Sequence, residues 1–144
     1  MTISVGTTAP DFTTIDDRGN TVSLSDFKGK TVVLYFYPKD DTPGCTKQAQ
    51  SFRDNISEYQ NKDMVVLGVS MDDRASHQKF KEKYDLPFTL LVDSDGAITK
   101  AYDVDGGGHA KRVTYIIDGN GTITKVDDKV NTSTHATDVL SSIS

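Results

Sequence analysis

Four near-continuous apolar runs constrain the fold of this chain more than any other feature of its sequence. Each run is rich in β-branched and aromatic residues, and they lie at 31–37, 64–71, 88–93 and 112–118. A strand with one face in water alternates apolar and polar residues, whereas a strand covered on both faces is apolar throughout. The four runs therefore predict buried strands with other elements packed on both faces of their sheet.

Shorter segments predict the remaining elements. Near the start, FTTI and TVSL flank the turn DDRGN and predict a hairpin, while TITKV follows DGNG and predicts an antiparallel partner of 112–118. A helix is predicted after Cys45, because apolar residues recur there at spacings of three and four: Ala49, Phe52, Ile56 and Tyr59. Further helices are predicted from Arg74 to Tyr84, in AITKAY and in THATDVLSSI.

The order of these elements indicates an α/β fold. Strands alternate with helices through the middle of the chain, and a hairpin and a helix follow. This order predicts a central mixed β-sheet flanked by helices, with an N-terminal β-hairpin extension. A chain of 144 residues fits one domain, and we expect residues 1–144 to form it.

Composition excludes several classes of function. The formal net charge of −5 argues against non-specific nucleic-acid binding, which needs a basic surface. No apolar run is long enough for a membrane helix, and MTISVGTTAPDF has neither the basic flank nor the apolar centre of a secretion signal. One cysteine cannot form an internal disulfide, so we expect a reducing compartment. That compartment is the cytoplasm, or an organelle stroma if a transit peptide has been removed.

Cys45 has two readings. Free cysteines are most often small buried hydrophobes without chemistry. However, Cys45 follows the polar, turn-rich loop PKDDTPG at a strand-to-helix junction, where α/β proteins gather reactive groups, and this setting predicts an exposed thiol. The first turn of a helix has unpaired N–H groups and the positive end of the dipole, which favour a nucleophilic thiolate. Pro43 stiffens the approach, and the Thr42 hydroxyl is placed to meet the thiolate or a substrate.

Pro38, Thr42 and Cys45 together form the pattern P-x-x-x-T-x-x-C, which resembles the active-site signature of the peroxiredoxins. The stretch YFYPKDDTPGCTK is similar to the Q-type branch, also called bacterioferritin-comigratory-protein-like. Other stretches match that branch in order along the chain: APDF, SLSDFKGK, VSMDDRASHQKFKEKYDLPFTLLVD and RVTYIID. A short signature match alone is weak, but this many matches in register make the resemblance specific.

The resemblance implies a thioredoxin-like fold and the reduction of hydrogen peroxide or organic hydroperoxides. Cys45 would be the peroxidatic cysteine and would become a sulfenic acid. Arg112, which opens RVTYIID, would hold the thiolate and bind substrate; without the resemblance it would be taken as a surface arginine. Thr42 and the N–H groups of Gly44 and Cys45 would bind the peroxide oxygens, and Pro38 would shield the pocket from water.

Two positions depart from the family pattern. Many Q-type members carry a resolving cysteine five residues after the first, and here Gln50 stands there, about 140° around the helix from Cys45. Some members place that cysteine in the second helix, and 74–84 has none. The sulfenic acid would then be reduced by an external thiol: glutathione, a glutaredoxin, a thioredoxin or Cys45 of a second copy. Gln48 is the second departure, because the family usually has glutamate there.

The remaining candidates point to no further chemistry. His77 is expected to be a capping or surface residue, and His109 and His135 to be solvated, as are the acidic pairs Asp16–Asp17, Asp72–Asp73 and Asp127–Asp128. Metal-ligand spacings and nucleotide-binding motifs are absent from the sequence, so no cofactor is expected. The expected assembly is a monomer or a weak homodimer. An alternative function is a thiol-based redox sensor or binding module that uses the same activated thiolate without turnover.

Overall fold

A computed structural model describes residues 2–143 of the chain. The strands are β1 (Thr13–Ile15), β2 (Thr21–Ser23), β3 (Thr31–Phe36), β4 (Met64–Ser70), β5 (Thr89–Val92), β6 (Val113–Ile117) and β7 (Ile123–Asp127). The helices are α1 (Pro43–Asp54), α2 (Ile56–Asn61), α3 (Arg74–Tyr84), α4 (Ala97–Ala101) and α5 (His135–Ile143), and a 3-10 helix spans Leu24–Phe27. Every strand and helix predicted from the sequence is present, with bounds that differ by at most two residues, except that the helix predicted to continue through Tyr59 is divided into α1 and α2.

Five strands form a mixed sheet in the order β5-β4-β3-β6-β7. β3 lies in the centre and pairs parallel to β4, which pairs parallel to β5. On its other side β3 pairs antiparallel to β6, and β6 pairs antiparallel to β7, so the predicted hairpin is confirmed. β1 and β2 form the separate antiparallel pair predicted near the start.

The central strand is covered on both faces, as its apolar run predicts. Val32, Leu34 and Phe36 belong to one buried cluster, which also contains Tyr102 and Tyr115. The intervening residues Val33 and Tyr35 belong to a second buried cluster on the opposite face, which contains Cys45 and Phe52. The two clusters follow from the alternation of side chains along a strand. Cys45, a residue of α1, lies in the second of them.

Gly68 allows the second cluster to pack against β4. A Cβ atom at this position would lie 2.9 Å from the hydroxyl oxygen of Tyr35 and 2.9 Å from a methyl carbon of Leu90. Real Cβ atoms do not approach other heavy atoms so closely. Glycine at this point of the strand therefore makes room for the Tyr35 ring.

The helix that begins before Cys45 ends earlier than its apolar spacing suggests. The chain breaks helical geometry at Asn55, and α2 starts at the next residue. The side-chain amide of Asn55 donates to the backbone oxygen of Ser51 over 2.8 Å, a bond that competes with regular helix geometry. The apolar face nevertheless continues across the break, because Tyr59 on α2 is fully buried.

Helix α5 is hydrogen-bonded to α1 and α2. The N–H of Ala136 donates to the Ser51 hydroxyl over 3.0 Å, and the Tyr59 hydroxyl donates to the carbonyl of Ala136 over 2.7 Å. The ring of His135 meets Phe52 edge to face, with centroids 5.4 Å apart. The expectation that His135 is solvated is wrong: its side chain is fully buried, because it lies four residues before Val139 on the inward face of α5.

The acidic pair at 16–17 is also buried, contrary to expectation. Asp16 accepts hydrogen bonds from the backbone N–H groups of Arg18 and Asn20. Asp17 accepts from the N–H of Leu90 and forms an ion pair with Lys81 over 3.2 Å. These carboxylates close the hairpin turn onto the sheet, and their partners offset the cost of burial. Within residues 2–143 no helix is long and apolar enough to cross a bilayer.

Candidate active site

Cys45 lies in the first turn of α1. Thr42 is the residue that caps this helix, with extended backbone angles, and Pro43 occupies the first helical position. Proline is favoured there because it has no N–H to leave unpaired and its φ already suits a helix. The N–H groups of Gly44 and Cys45 have no acceptor within the helix, since the first turn of any helix leaves them free. They provide fixed donors and a positive dipole end beside the sulfur.

The thiol of Cys45 is buried rather than exposed. Its residue is 1% exposed and packs with the cluster that contains Tyr35 and Phe52. The exposed setting expected from the polar loop is therefore wrong, because α1 lays its first turn against the sheet immediately after the loop.

Arg112 reaches Cys45 from the start of β6, the strand next to β3, on the same face of the sheet. β6 pairs antiparallel to β3 with Val113 opposite Phe36. Arg112 therefore lies where β3 ends and the active-site loop, residues 37–42, begins. Its Nη2 lies 3.3 Å from the sulfur of Cys45. Gly44 leaves room for this approach, because a Cβ there would stand 3.0 Å from the same nitrogen. The sequence prediction that Arg112 and Cys45 share a site agrees with this geometry.

Gln48 holds the other branch of the guanidinium. Its Oε1 accepts a hydrogen bond from Nη1 of Arg112 over 2.7 Å, and the side chain is fully buried one helical turn after Cys45. Its Nε2 has no hydrogen-bond partner among the described residues. A neutral amide thus orients Arg112 without neutralising its charge, and the cation remains available to the sulfur.

Tyr35 forms the floor of the site. Its ring stacks on Phe52 with centroids 4.8 Å apart, and its buried hydroxyl lacks a hydrogen-bond partner within the described part of the chain. Burial raises the pKa of Tyr35 well above its usual value, and the negative charges of Cys45 and Asp40 add to this. Tyr35 is therefore a neutral apolar wall, and it was not among the sequence candidates.

Thr42 and Pro38 flank the cysteine on the loop. The Thr42 hydroxyl donates to the carbonyl of Lys39 over 2.9 Å, so its lone pairs remain free to accept a hydrogen bond. Pro38 is half-buried where β3 gives way to the loop. The structure brings Cys45, Gly44, Arg112 and Gln48 into one cluster, and Thr42 caps the helix that carries Cys45.

A buried polar network links the loop before α1 to α3. It contains His77, which the sequence predicted to be a capping or surface residue. His77 is fully buried, and its Nδ1 lies 2.6 Å from Oδ2 of Asp40. The prediction is wrong because His77 precedes Phe80 and Tyr84 by three and seven residues, which places it on the inward face of α3. That spacing was the signal that could have identified it. His109 is exposed, as expected.

Asp72 joins this network, which groups three ligand-type side chains. The nearest ligand atoms of Asp40, Asp72 and His77 lie within 4.8 Å of one another. Two ligands of a tetrahedral zinc are about 3.4 Å apart when each bond is about 2.1 Å long. The 2.6 Å separation of Nδ1 and Oδ2 is shorter than this and is that of a direct hydrogen bond. Asp72 is half-buried and accepts from Ser70, whereas Asp73 is exposed and caps α3.

Comparison with known proteins identifies the family of this chain. The model of the AhpC/TSA family matches residues 5–126. The chain belongs to that family. The chain is 44% identical to peroxiredoxin Bcp of Bacillus subtilis, over 99% of this chain and 96% of that protein.

Solved structures give the same assignment. A cysteine-to-serine mutant of PrxQ from Xylella fastidiosa superposes with a TM-score of 0.92 at 29% identity, covering 99% of this chain and 96% of the other. The bacterioferritin comigratory protein of Xanthomonas campestris superposes with a TM-score of 0.87 at 30% identity, covering 97% and 94%. Its structures concern alkyl peroxide reduction by that protein. The thioredoxin-like peroxiredoxin fold and the Q-type resemblance are both confirmed, in a chain with one cysteine.

Proposed function

We propose that Cys45 is the nucleophile through which this thiol-dependent peroxidase reduces hydrogen peroxide and organic hydroperoxides. One observation carries the assignment: the guanidinium of Arg112 lies 3.3 Å from the sulfur of a cysteine in the first turn of a helix. A fixed cation and unpaired N–H groups at that sulfur favour a thiolate. They also favour negative charge that shifts from sulfur to oxygen during the reaction.

The reaction transfers two electrons from sulfur to the peroxide. The thiolate of Cys45 attacks one peroxide oxygen, a sulfur–oxygen bond forms and the oxygen–oxygen bond breaks. The departing hydroxide or alkoxide takes a proton and leaves as water or an alcohol, and Cys45 becomes a sulfenic acid. Arg112 and the N–H groups of Gly44 and Cys45 stabilise the charge as it spreads over the oxygens.

Thr42 and Pro38 complete the proposed pocket. Because the Thr42 hydroxyl already donates to Lys39, it accepts a hydrogen bond from the protonated oxygen of the peroxide. Pro38 covers the loop side and keeps water from the reacting atoms.

Reduction of the sulfenic acid requires a thiol from another molecule, since the chain has one cysteine. The external thiolate attacks the sulfur of Cys45, hydroxide leaves, and a mixed disulfide forms that a second thiol then reduces. Glutathione, a glutaredoxin and a thioredoxin are the proposed donors. Since Cys45 is buried, a protein donor requires the first turn of α1 to open. We propose a monomer or weak homodimer that works in a reducing compartment such as the cytoplasm.

The test compares Cys45→Ser with a matched variant on the same helix, Gln50→Ser. Peroxide consumption is measured with the glutathione, glutaredoxin and thioredoxin systems supplied separately. We expect Cys45→Ser to abolish turnover and Gln50→Ser to retain it, with many turnovers per molecule under the preferred donor. Substantial activity in Cys45→Ser would refute the assignment, and a single turnover per molecule would indicate a sensor.

A further inference from the structure

Asp40 is the most densely bonded residue of the active-site loop, and it lies five positions before the cysteine. It is 7% exposed. Its Oδ1 accepts from the Tyr37 hydroxyl over 2.6 Å, and its Oδ2 accepts from the Ser76 hydroxyl over 2.8 Å. Its backbone N–H donates to Oδ2 of Asp72 over 2.7 Å. These bonds join the loop at Asp40 to α3 and to the segment that follows β4.

His77 faces an oxygen atom at each of its ring nitrogens. Nε2 lies 2.8 Å from the carbonyl oxygen of Leu91, which can only accept, so Nε2 carries a proton. Nδ1 lies 2.6 Å from the carboxylate of Asp40, which also accepts. This arrangement suits an imidazolium, which donates from both ring nitrogens. Burial alone would lower the pKa of His77, but the hydrogen bond and charge of Asp40, the Leu91 carbonyl and the charge of Asp72 outweigh it, so the pKa is raised.

We propose that Asp40 and His77 are positioning residues, whose buried ion pair fixes the active-site loop onto α3 and thereby sets the sulfur of Cys45 against Arg112. Three elements meet at this pair: Asp40 belongs to the loop, His77 to α3, and the Leu91 carbonyl to β5. Only two residues separate Asp40 from the start of α1 at Pro43, so a shift of Asp40 is transmitted to the helix start. This inference rests on the nucleophilic role proposed for Cys45.

Other titratable groups lie around the pair. Asp72 and Tyr37 contact Asp40 directly. On the solvent side, Asp41 accepts from Lys83 and from the Tyr84 hydroxyl, each over 2.8 Å. Asp41 and Lys83 are exposed, and an exposed pair contributes little. This second contact between the same loop and the same helix supplies a matched control.

The experiment measures two quantities for wild type, His77→Gln, Lys83→Gln and His109→Gln. The first is the rate at which stoichiometric hydrogen peroxide oxidises Cys45, followed by rapid quench and intact mass. We expect His77→Gln to slow this step by about 10- to 100-fold, because a displacement of about 1 Å between reacting groups can cost up to about 100-fold in rate. Lys83→Gln and His109→Gln should remain within about twofold of wild type, because neither removes a buried contact.

The second quantity is the protonation of His77, read from the ring nitrogen shifts of ¹⁵N-labelled protein at pH 7.5. A histidine with the ordinary pKa of about 6.5 is about one-tenth protonated there. We expect an imidazolium signal that disappears in His77→Gln and becomes neutral in Asp40→Asn. A role in packing alone would not produce that signal.

Two results would overturn the inference: a neutral His77 ring in wild type, or oxidation of His77→Gln at the wild-type rate. If His77→Gln does not fold, Ser76→Ala replaces it, since it removes one hydrogen bond to Asp40. Loss of that bond should slow oxidation by up to about fivefold, and an unchanged rate would overturn the inference. Cys45→Ser is measured alongside: if it retains activity, the proposed nucleophile fails, whereas an inactive Cys45→Ser with normal His77→Gln kinetics rejects the positioning pair alone.

Discussion

Acidification should destabilise this protein through His135. The ring is fully buried, and its Nε2 forms a hydrogen bond with the Thr114 hydroxyl over 2.8 Å. Its Nδ1 has no hydrogen-bond partner among the described residues, and the nearest carboxylate oxygen, of Asp127, is 3.7 Å away. Burial lowers the pKa of His135 to about 4, although the charges of Asp127 and Asp138 oppose this. The folded protein therefore holds His135 neutral.

The difference between folded and unfolded states sets the magnitude. An unfolded histidine binds its proton near pH 6.5, and the folded one near pH 4. The contribution of neutral His135 to the free energy of unfolding is thus fully present above pH 6.5 and is lost as the pH falls toward 4. The loss is about 2 kcal/mol at pH 5 and about 3 kcal/mol at pH 4.

Urea unfolding at pH 7.5 and pH 5, followed by circular dichroism, checks this for wild type, His135→Gln and the exposed control His109→Gln. Carboxylates titrate alike in all three proteins, so the comparison isolates the histidine. Between the two pH values, wild type and His109→Gln should lose about 2 kcal/mol more stability than His135→Gln.

An equal loss in all three proteins would refute the reasoning. If His135→Gln does not fold, an NMR titration of the wild-type ring decides the matter, because protonation above pH 6 would contradict the pKa lowered by burial.

Four other changes should have distinct effects. Arg112→Ala should slow oxidation of Cys45 by about 100- to 1,000-fold in rapid-quench mass measurements, and an unchanged rate would make it a surface arginine. Gln48→Leu should slow the same step by about tenfold, because Arg112 loses its orienting acceptor. Urea unfolding of this variant should show little loss of stability, because the unpartnered Nε2 is removed as well. Gly68→Ala should lower the free energy of unfolding by about 1–3 kcal/mol through overpacking, and equal stability would contradict the close contact with Tyr35. Peroxide without reductant should convert Cys45 to a dimedone-reactive sulfenic acid and then to a sulfinic acid, as measured by intact mass. The variant Gln50→Cys should instead form an internal disulfide. A product that is mostly a covalent dimer would contradict resolution by an external thiol.

The sequence predicted the architecture because the buried strands share one pattern, a near-continuous run of apolar residues. Apolar runs such as 31–37 and 112–118 are covered on both faces, and their composition indicates this without knowledge of their partners. Periodicity also located α3 at its observed bounds. The break at Asn55 was not predicted, because it depends on a single side-chain hydrogen bond rather than on a pattern.

The site was predicted in part. A signature within eight residues identified Cys45, and a resemblance to known proteins identified Arg112, which no local pattern distinguishes from a surface arginine. The burial of Cys45 and His77 was missed for the same physical reason: polar neighbours in the chain suggested water, whereas the elements packed above them exclude it. The role of Gln48 as acceptor for Arg112 depends on a 2.7 Å contact that spacing cannot give.

The antiparallel placement of β6 beside β3 has a consequence during synthesis. Cys45 and Arg112 are 67 residues apart in the chain, and they meet only when β6 joins the sheet. A ribosome that adds about 5–20 residues per second needs about 3–13 s to make the intervening segment. During that time the nascent chain carries the thiol without its cation. If Arg112 activates the thiol as proposed, the emerging polypeptide should react slowly with peroxide until β6 joins the sheet.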